Sequence, residues 1–253
     1  MAAPSPVIAA ETPPACTYDD VLTRYRAYSD WDRTLLDTKY MLGSGYAPND
    51  LVAVSNAGLS GGGSVRRLVI KDLTALVKAA RAAGARVQSA SAYRSYATQR
   101  STFSYWVSVE GYKKALLSSA RPGHSEHQLG LTIDFTSYGG SDPWTYTDWA
   151  TTKAGAWMAK NAWKYGFIMS YPEGKSPSKT CYKYEPWHYR YFGTARAKAI
   201  HDSGLSSREW LWNQGAITGW KGVTPTPTPA PTPAPFVDGG PTRSVPPRST
   251  PVP

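Results

Sequence analysis

The chain has 253 residues, 41% of them hydrophobic, enough to bury a sizeable core in one large or two small domains. Lys and Arg outnumber Asp and Glu by 28 to 18, and the net charge of +10 attracts anionic surroundings; yet the tightest basic cluster is only Arg66, Arg67 and Lys71, so a nucleic-acid role is not expected. Two cysteines with no C-x-x-C pair exclude a cysteine-rich zinc module, and no apolar run approaches the roughly 18 residues of a transmembrane helix.

Residues 1–15, MAAPSPVIAAETPPA, up to the first cysteine, are rich in Ala and Pro and are expected to be disordered. They lack the basic start and long apolar segment of an intact signal peptide, which suits a mature secreted chain. The folded region is expected over 16–220. Leu73, Leu76, Val77 and Ala80 follow the helical spacing, predicting a helix over 71–83 that stops at Gly84. RVQSASAY alternates and predicts a strand over 86–93. A helix follows Ser95 to about 117, and LTIDFTS predicts a strand over 131–137. Ala154, Trp157, Met158 and Ala162 share one helical face, which predicts a helix over 147–165 ending near Gly166. FIMSY and WHYRYF read as two further strands, and 194–214 as short closing helices. Helices and strands come in blocks, so the expected class is α+β, a small antiparallel sheet with flanking helices.

The tail over 221–253 holds over half of the chain's 21 prolines and no periodic apolar residues, so it is expected to be an extended, disordered linker. Cys16 and Cys181 permit one disulfide; two unrelated buried thiols are the alternative.

Only four histidines occur, and two of them fall in GHSEHQLGLTIDF. A turn at Gln128–Gly130 followed by a strand would bring His127 and Asp134 toward one point, and both are ordinary zinc ligands. Alone, such a pair is as readily a structural hydrogen bond. In YEPWHYRYFG, Glu185 stands three residues before His188. A second imidazole completes a two-His, one-carboxylate set with a position left open for water, and Glu185 is then suited to act as the base. Its plainer reading is a surface carboxylate paired with Lys183 or Arg190. In SAYRSYATQR, Arg94 and Gln99 sit where a strand passes into a helix, and a guanidinium fork suits a terminal carboxylate.

The three blocks SAYRSYATQ, SEHQLGLTID and EPWHYRYFG resemble the signature blocks of the VanY-type D-alanyl-D-alanine carboxypeptidases, zinc peptidases of the M15 family, in the same order over roughly 31–193. The resemblance implies the Hedgehog/DD-peptidase-like fold. It also implies Zn2+ held by His127, Asp134 and His188, with Glu185 as catalytic base. Arg94 is implied to stabilise the carbonyl oxygen and read the substrate terminus, and Gln99 and Ser125 to contact substrate. The implied reaction removes the terminal D-Ala from peptidoglycan stem peptides, by a monomeric protein that is secreted or wall-associated. An L-alanyl-D-glutamate endopeptidase of the same family and a non-catalytic wall-binding zinc domain remain as alternatives. Ala92 stands where the family often has Gly, and Thr132 where Ala is common, which bears on pocket shape. His124 and His201 match no ligand position, and His124 is expected in a loop.

Overall fold

The computed structural model describes residues 12–214; most of the expected N-terminal segment and the whole of the expected 221–253 tail lie outside the described residues. In chain order the elements are β1 (Val21–Leu22), β2 (Tyr40–Met41), β3 (Leu51–Ala53), β4 (Ser60–Gly61), β5 (Ser64–Arg66), α1 (Ile70–Ala82), β6 (Val87–Ser91), α2 (Tyr96–Glu110), α3 (Tyr112–Ser118), β7 (Thr132–Ser137), α4 (Lys153–Asn161), β8 (Phe167–Met169), β9 (His188–Tyr191), α5 (Thr194–Ser203) and α6 (Ser207–Asn213). The class is α+β.

The central sheet has the order β4-β6-β7-β9-β8. Its β6–β7, β7–β9 and β8–β9 pairs are antiparallel, as expected, whereas the edge pair β4–β6 is parallel. The short strands β1 to β5 escaped the sequence reading because two or three residues are too few to show a period.

Side-chain alternation divides this sheet into two faces. Ile133 and Phe135 of β7 and Tyr189 and Tyr191 of β9 point into the main core, where Leu73, Leu76, Val77 and Ala80 of α1 and Ala154 and Met158 of α4 cover them. Each such large side chain withdrawn from water contributes about 1.5–3 kcal/mol. Thr132, Asp134 and Thr136 of β7 and His188 and Arg190 of β9 point the other way, and they too are buried. A second cluster, including Leu35, Ile168, Phe192, Ile200 and Leu211, packs α5 and α6 against the sheet edge.

Helix α1 ends one residue before the expected stop, with Gly84 just beyond it. The helix expected from Ser95 to 117 is two helices: Ser95 caps α2 by accepting from the Thr98 N–H, and Gly111, at φ +81°, turns the chain into α3. The helix expected over 147–165 is also segmented. Thr152 caps α4 through the Gly155 N–H, with 3-10 turns on either side, and Gly166 ends the run. Cys16 and Cys181 form a disulfide that closes a loop across 165 positions of sequence. In the chain-entropy account such a closure is worth about 5 kcal/mol at most. Among the described residues no helix is long and apolar enough to cross a membrane.

Candidate active site

Register brings the first two residues of the site together. Asp134 of β7 lies directly opposite His188 of β9, and opposite Ser91 of β6 across a bulge between Ser89 and Ser91. Residues paired in this way project from the same face. His127 arrives from a 3-10 turn, Glu126–Leu129, whose cap is Ser125: the Ser125 hydroxyl accepts from the His127 N–H at 3.3 Å. Gly130 leaves that turn at φ +71°, and a Cβ there would come within 2.9 Å of Leu51. The turn therefore needs glycine to deliver His127 on one side and Asp134 on the other. Gln128 pins it to the N-terminal part of the chain by donating to the carbonyls of Gly43 and Tyr46.

His127, Asp134 and His188 are buried, and one ligand atom from each lies within 4.8 Å of the others. His127 Nδ1 is 2.6 Å from the Ala92 carbonyl, which can only accept, so that nitrogen carries the proton. The Nε2 lone pair then faces Asp134 Oδ2 at 3.2 Å, two acceptors aimed at one another. His127 Nε2 and Asp134 Oδ1 are both buried without a hydrogen-bond partner. Burial and the nearby Arg94 charge push His127 down to about 4, which keeps it neutral. Burial would raise Asp134, but the protonated His188 beside it holds it well below the usual carboxylate range. Burial would lower His188, but Asp134 and Glu126 prevail and push it up to about 10; a cation that displaces that proton meets lone pairs on two imidazoles and one ionised carboxylate converging in a buried place, a donor set that fits zinc.

Glu185 lies in the loop before β9. The His188 N–H donates to the Glu185 carbonyl at 3.1 Å, closing a turn that sets both side chains on one side. Its carboxylate is 3.6 Å from His188 Nδ1, and burial pushes it up to about 7.

Arg94 follows β6. Its Nη1 donates to Ser91 Oγ at 2.6 Å and lies 3.6 Å from Asp134 Oδ2, and its Nε donates to Gln99 Oε1 at 2.9 Å. Gln99 is buried, and its amide nitrogen donates to the Ala120 carbonyl at 2.7 Å. Both ends of the Gln99 amide are thus engaged within the protein, and Gln99 does not border the cleft.

All the other expected site residues do. Arg94, Ser125, His127, Asp134, Glu185 and His188 line one cleft of about 300 Å³, together with Trp144, Tyr171 and Trp187 and with Tyr105, Trp106 and Glu110 of α2. His124 is in a loop as expected but is buried: Nδ1 lies 2.7 Å from the Asp37 carbonyl and Nε2 2.9 Å from Asp20. His201 is on the surface, stacked on Trp163.

The sequence reading passed over Glu126. Its carboxylate is buried, accepts from Arg190 Nη1 and Ser170 Oγ, and lies 3.0 Å from His188 Nε2. Burial would raise it, but the Arg190 charge and the His188 contact win and hold it down to about 2. One signal was available: Arg190 shares the face of His188 two residues earlier, and an arginine facing inward requires a carboxylate.

Residues 63–194 match the family model VanY, D-alanyl-D-alanine carboxypeptidase. The protein YodJ of Bacillus subtilis (strain 168) is 37% identical over 183 residues, a match spanning 70% of this chain and 66% of that protein. Among solved structures, the LD-carboxypeptidase LdcB is 36% identical with a TM-score of 0.64, covering 71% of this chain and 85% of that one. The vancomycin resistance D,D-pentapeptidase VanY from a VanB-type cassette, solved in complex with Zn(II), is 29% identical with a TM-score of 0.60, covering 72% and 99%.

Proposed function

The chain belongs to the VanY family of D-alanyl-D-alanine carboxypeptidases, and on that premise we propose that it is a zinc-dependent carboxypeptidase removing the terminal D-Ala from peptidoglycan stem peptides. The observation that carries this reading is the convergence of the His127, Asp134 and His188 ligand atoms at one buried point of a cleft, with the Glu185 carboxylate beside them. Those three residues would hold the metal. When bound, zinc supplies Lewis-acid polarisation of the scissile carbonyl and makes water acidic enough to act near neutral pH.

The chain's own residues then divide the work. Glu185, its pKa raised to about 7, takes the proton of the attacking water and returns it to the departing amine. Arg94 presents its remaining N–H groups to the carbonyl oxygen or to the substrate's free carboxylate. Gln99 acts through Arg94, holding the guanidinium at Nε instead of touching substrate. Ser125, which lines the same cleft, would contact the substrate. The aromatic walls shed water around the reacting bond.

The disulfide suits an oxidising compartment, in keeping with a secreted or wall-associated protein. A second reading, cleavage of an L,D bond, rests on the likeness to the LD-carboxypeptidase LdcB. The deciding assay measures D-Ala release from muramyl pentapeptide and from muramyl tetrapeptide, with chelator and after addition of zinc. Release from the pentapeptide, lost with chelator and restored by zinc, supports the proposal. Release from the tetrapeptide alone moves it to the L,D bond. No release from either, with zinc bound, leaves an endopeptidase cutting deeper or a binding domain.

A further inference from the structure

Three carboxylates flank His188, and the proposed reaction uses only the two at Nδ1, those of Asp134 and Glu185. At Nε2 stands Glu126, whose oxygens already receive Arg190 Nη1 at 3.0 Å and Ser170 Oγ at 2.6 Å. A carboxylate surrounded by donors is an acceptor, so the His188 Nε2 at 3.0 Å carries a proton and donates it. That leaves Nδ1 as the only nitrogen free to give a lone pair, on the side of Asp134 Oδ1 at 3.2 Å.

Arg190 is held in turn. Its Nη2 donates to the carbonyls of Trp31 at 3.0 Å and Thr34 at 2.8 Å, and the side chain is fully buried. Trp31 and Thr34 lie outside the stretch that matches the family. A buried ion pair can often be exchanged for apolar residues of similar size without loss of stability, so stability alone is a weak reason for this one.

We propose that Glu126 is a positioning residue: clamped by Arg190 and the 31–34 backbone, it fixes the His188 ring and its tautomer so that Nδ1 faces the point shared with His127 and Asp134. This rests on the reading of His127, Asp134 and His188 as metal ligands. A partner at the far nitrogen of a ligating imidazole sets ring orientation and basicity, and its loss typically costs about 10–100-fold in metal affinity.

The direct test is 15N NMR of the histidine-labelled wild-type protein, in which only four imidazoles need assignment. The expected result is an exchange-protected Nε2–H on His188 with and without zinc, and with zinc an unprotonated Nδ1. A zinc-loaded His188 that carries its proton on Nδ1, or a rapidly exchanging Nε2–H, overturns the proposal. If zinc fails to bind while the Nε2–H stays protected, the metal reading falls and the hold of Glu126 on the ring stands. The second arm is the double variant Glu126→Leu/Arg190→Met, chosen to preserve burial. It should fold and bind zinc about 10–100-fold more weakly in a chelator competition. A folded double variant with wild-type zinc affinity would also overturn the role assigned to Glu126.

Discussion

The two faces of the central sheet are built from the same strands and are equally buried, but they are held by different means. On one face Ile133, Phe135, Tyr189 and Tyr191 meet α1 and α4 through apolar contact. Any residue of suitable size and shape serves there, and the contacts come from neighbouring helices. On the other face His188 and Arg190 must find polar partners, because an unpaired buried polar group costs more than a lost apolar contact of its size. Those partners come from distant segments: Glu126 from a turn, Trp31 and Thr34 from the N-terminal region. The apolar face is sized for stability, whereas the polar face stores uncompensated lone pairs for a cation to claim.

Neighbouring residues on β7 can break that division. Asp134→Ala should abolish stoichiometric zinc binding and with it turnover, while shifting the unfolding midpoint of zinc-free protein less than Phe135→Ala does. Metal analysis and denaturant titration decide it; an Asp134 variant that keeps its zinc would end the division. Glu185→Ala, next in size, should lower kcat by about 10²–10⁴-fold with zinc content unchanged, since a positioned base contributes about that much. Retained turnover would remove Glu185 from its role.

Phe135→Ala tests the other face. It should cost about 3–5 kcal/mol of stability, yet leave kcat per folded molecule within a few-fold of wild type. A collapse of kcat in protein shown to be folded would mean that the faces are coupled through the strand. The smallest effect is pH dependence. In the proposed mechanism Glu185 acts in its ionised form, and burial pushes it up to about 7, so kcat/KM should rise with pH up to about that value and fall about tenfold per unit below it. A flat profile between pH 5 and 8 would assign proton transfer elsewhere.

The same division explains what the sequence disclosed. Apolar periodicity placed α1, and a run of β-forming residues placed β7, within a residue or two, because both signals are read locally. The blocks that bring His127, Asp134, Glu185 and His188 together were also legible, since each lies on one turn or strand end and its spacing is preserved. Gln99 was placed against substrate, but its amide is consumed by Arg94 and Ala120. No spacing rule reveals which way a capped helix turns a side chain five residues from an arginine. Glu126 was passed over because its partners, Ser170 and Arg190, are 44 and 64 positions away. The parallel β4–β6 edge and the break at Gly111 depend on tertiary contact and on one positive φ, respectively.

The Cys16–Cys181 bridge has a consequence of its own. It turns the stretch between the two cysteines into a covalent ring that includes β1 through β8 and the cleft-lining side chains from Arg94 to Tyr171. The bend between α2 and α3, where Val109 is 56% and Tyr112 54% exposed, is the natural point of attack for a protease. One cut there opens the ring without dividing the molecule. His127 and Asp134 would lie on one fragment with His188, Arg94 on the other, and the two would migrate as a single species until reductant separates them.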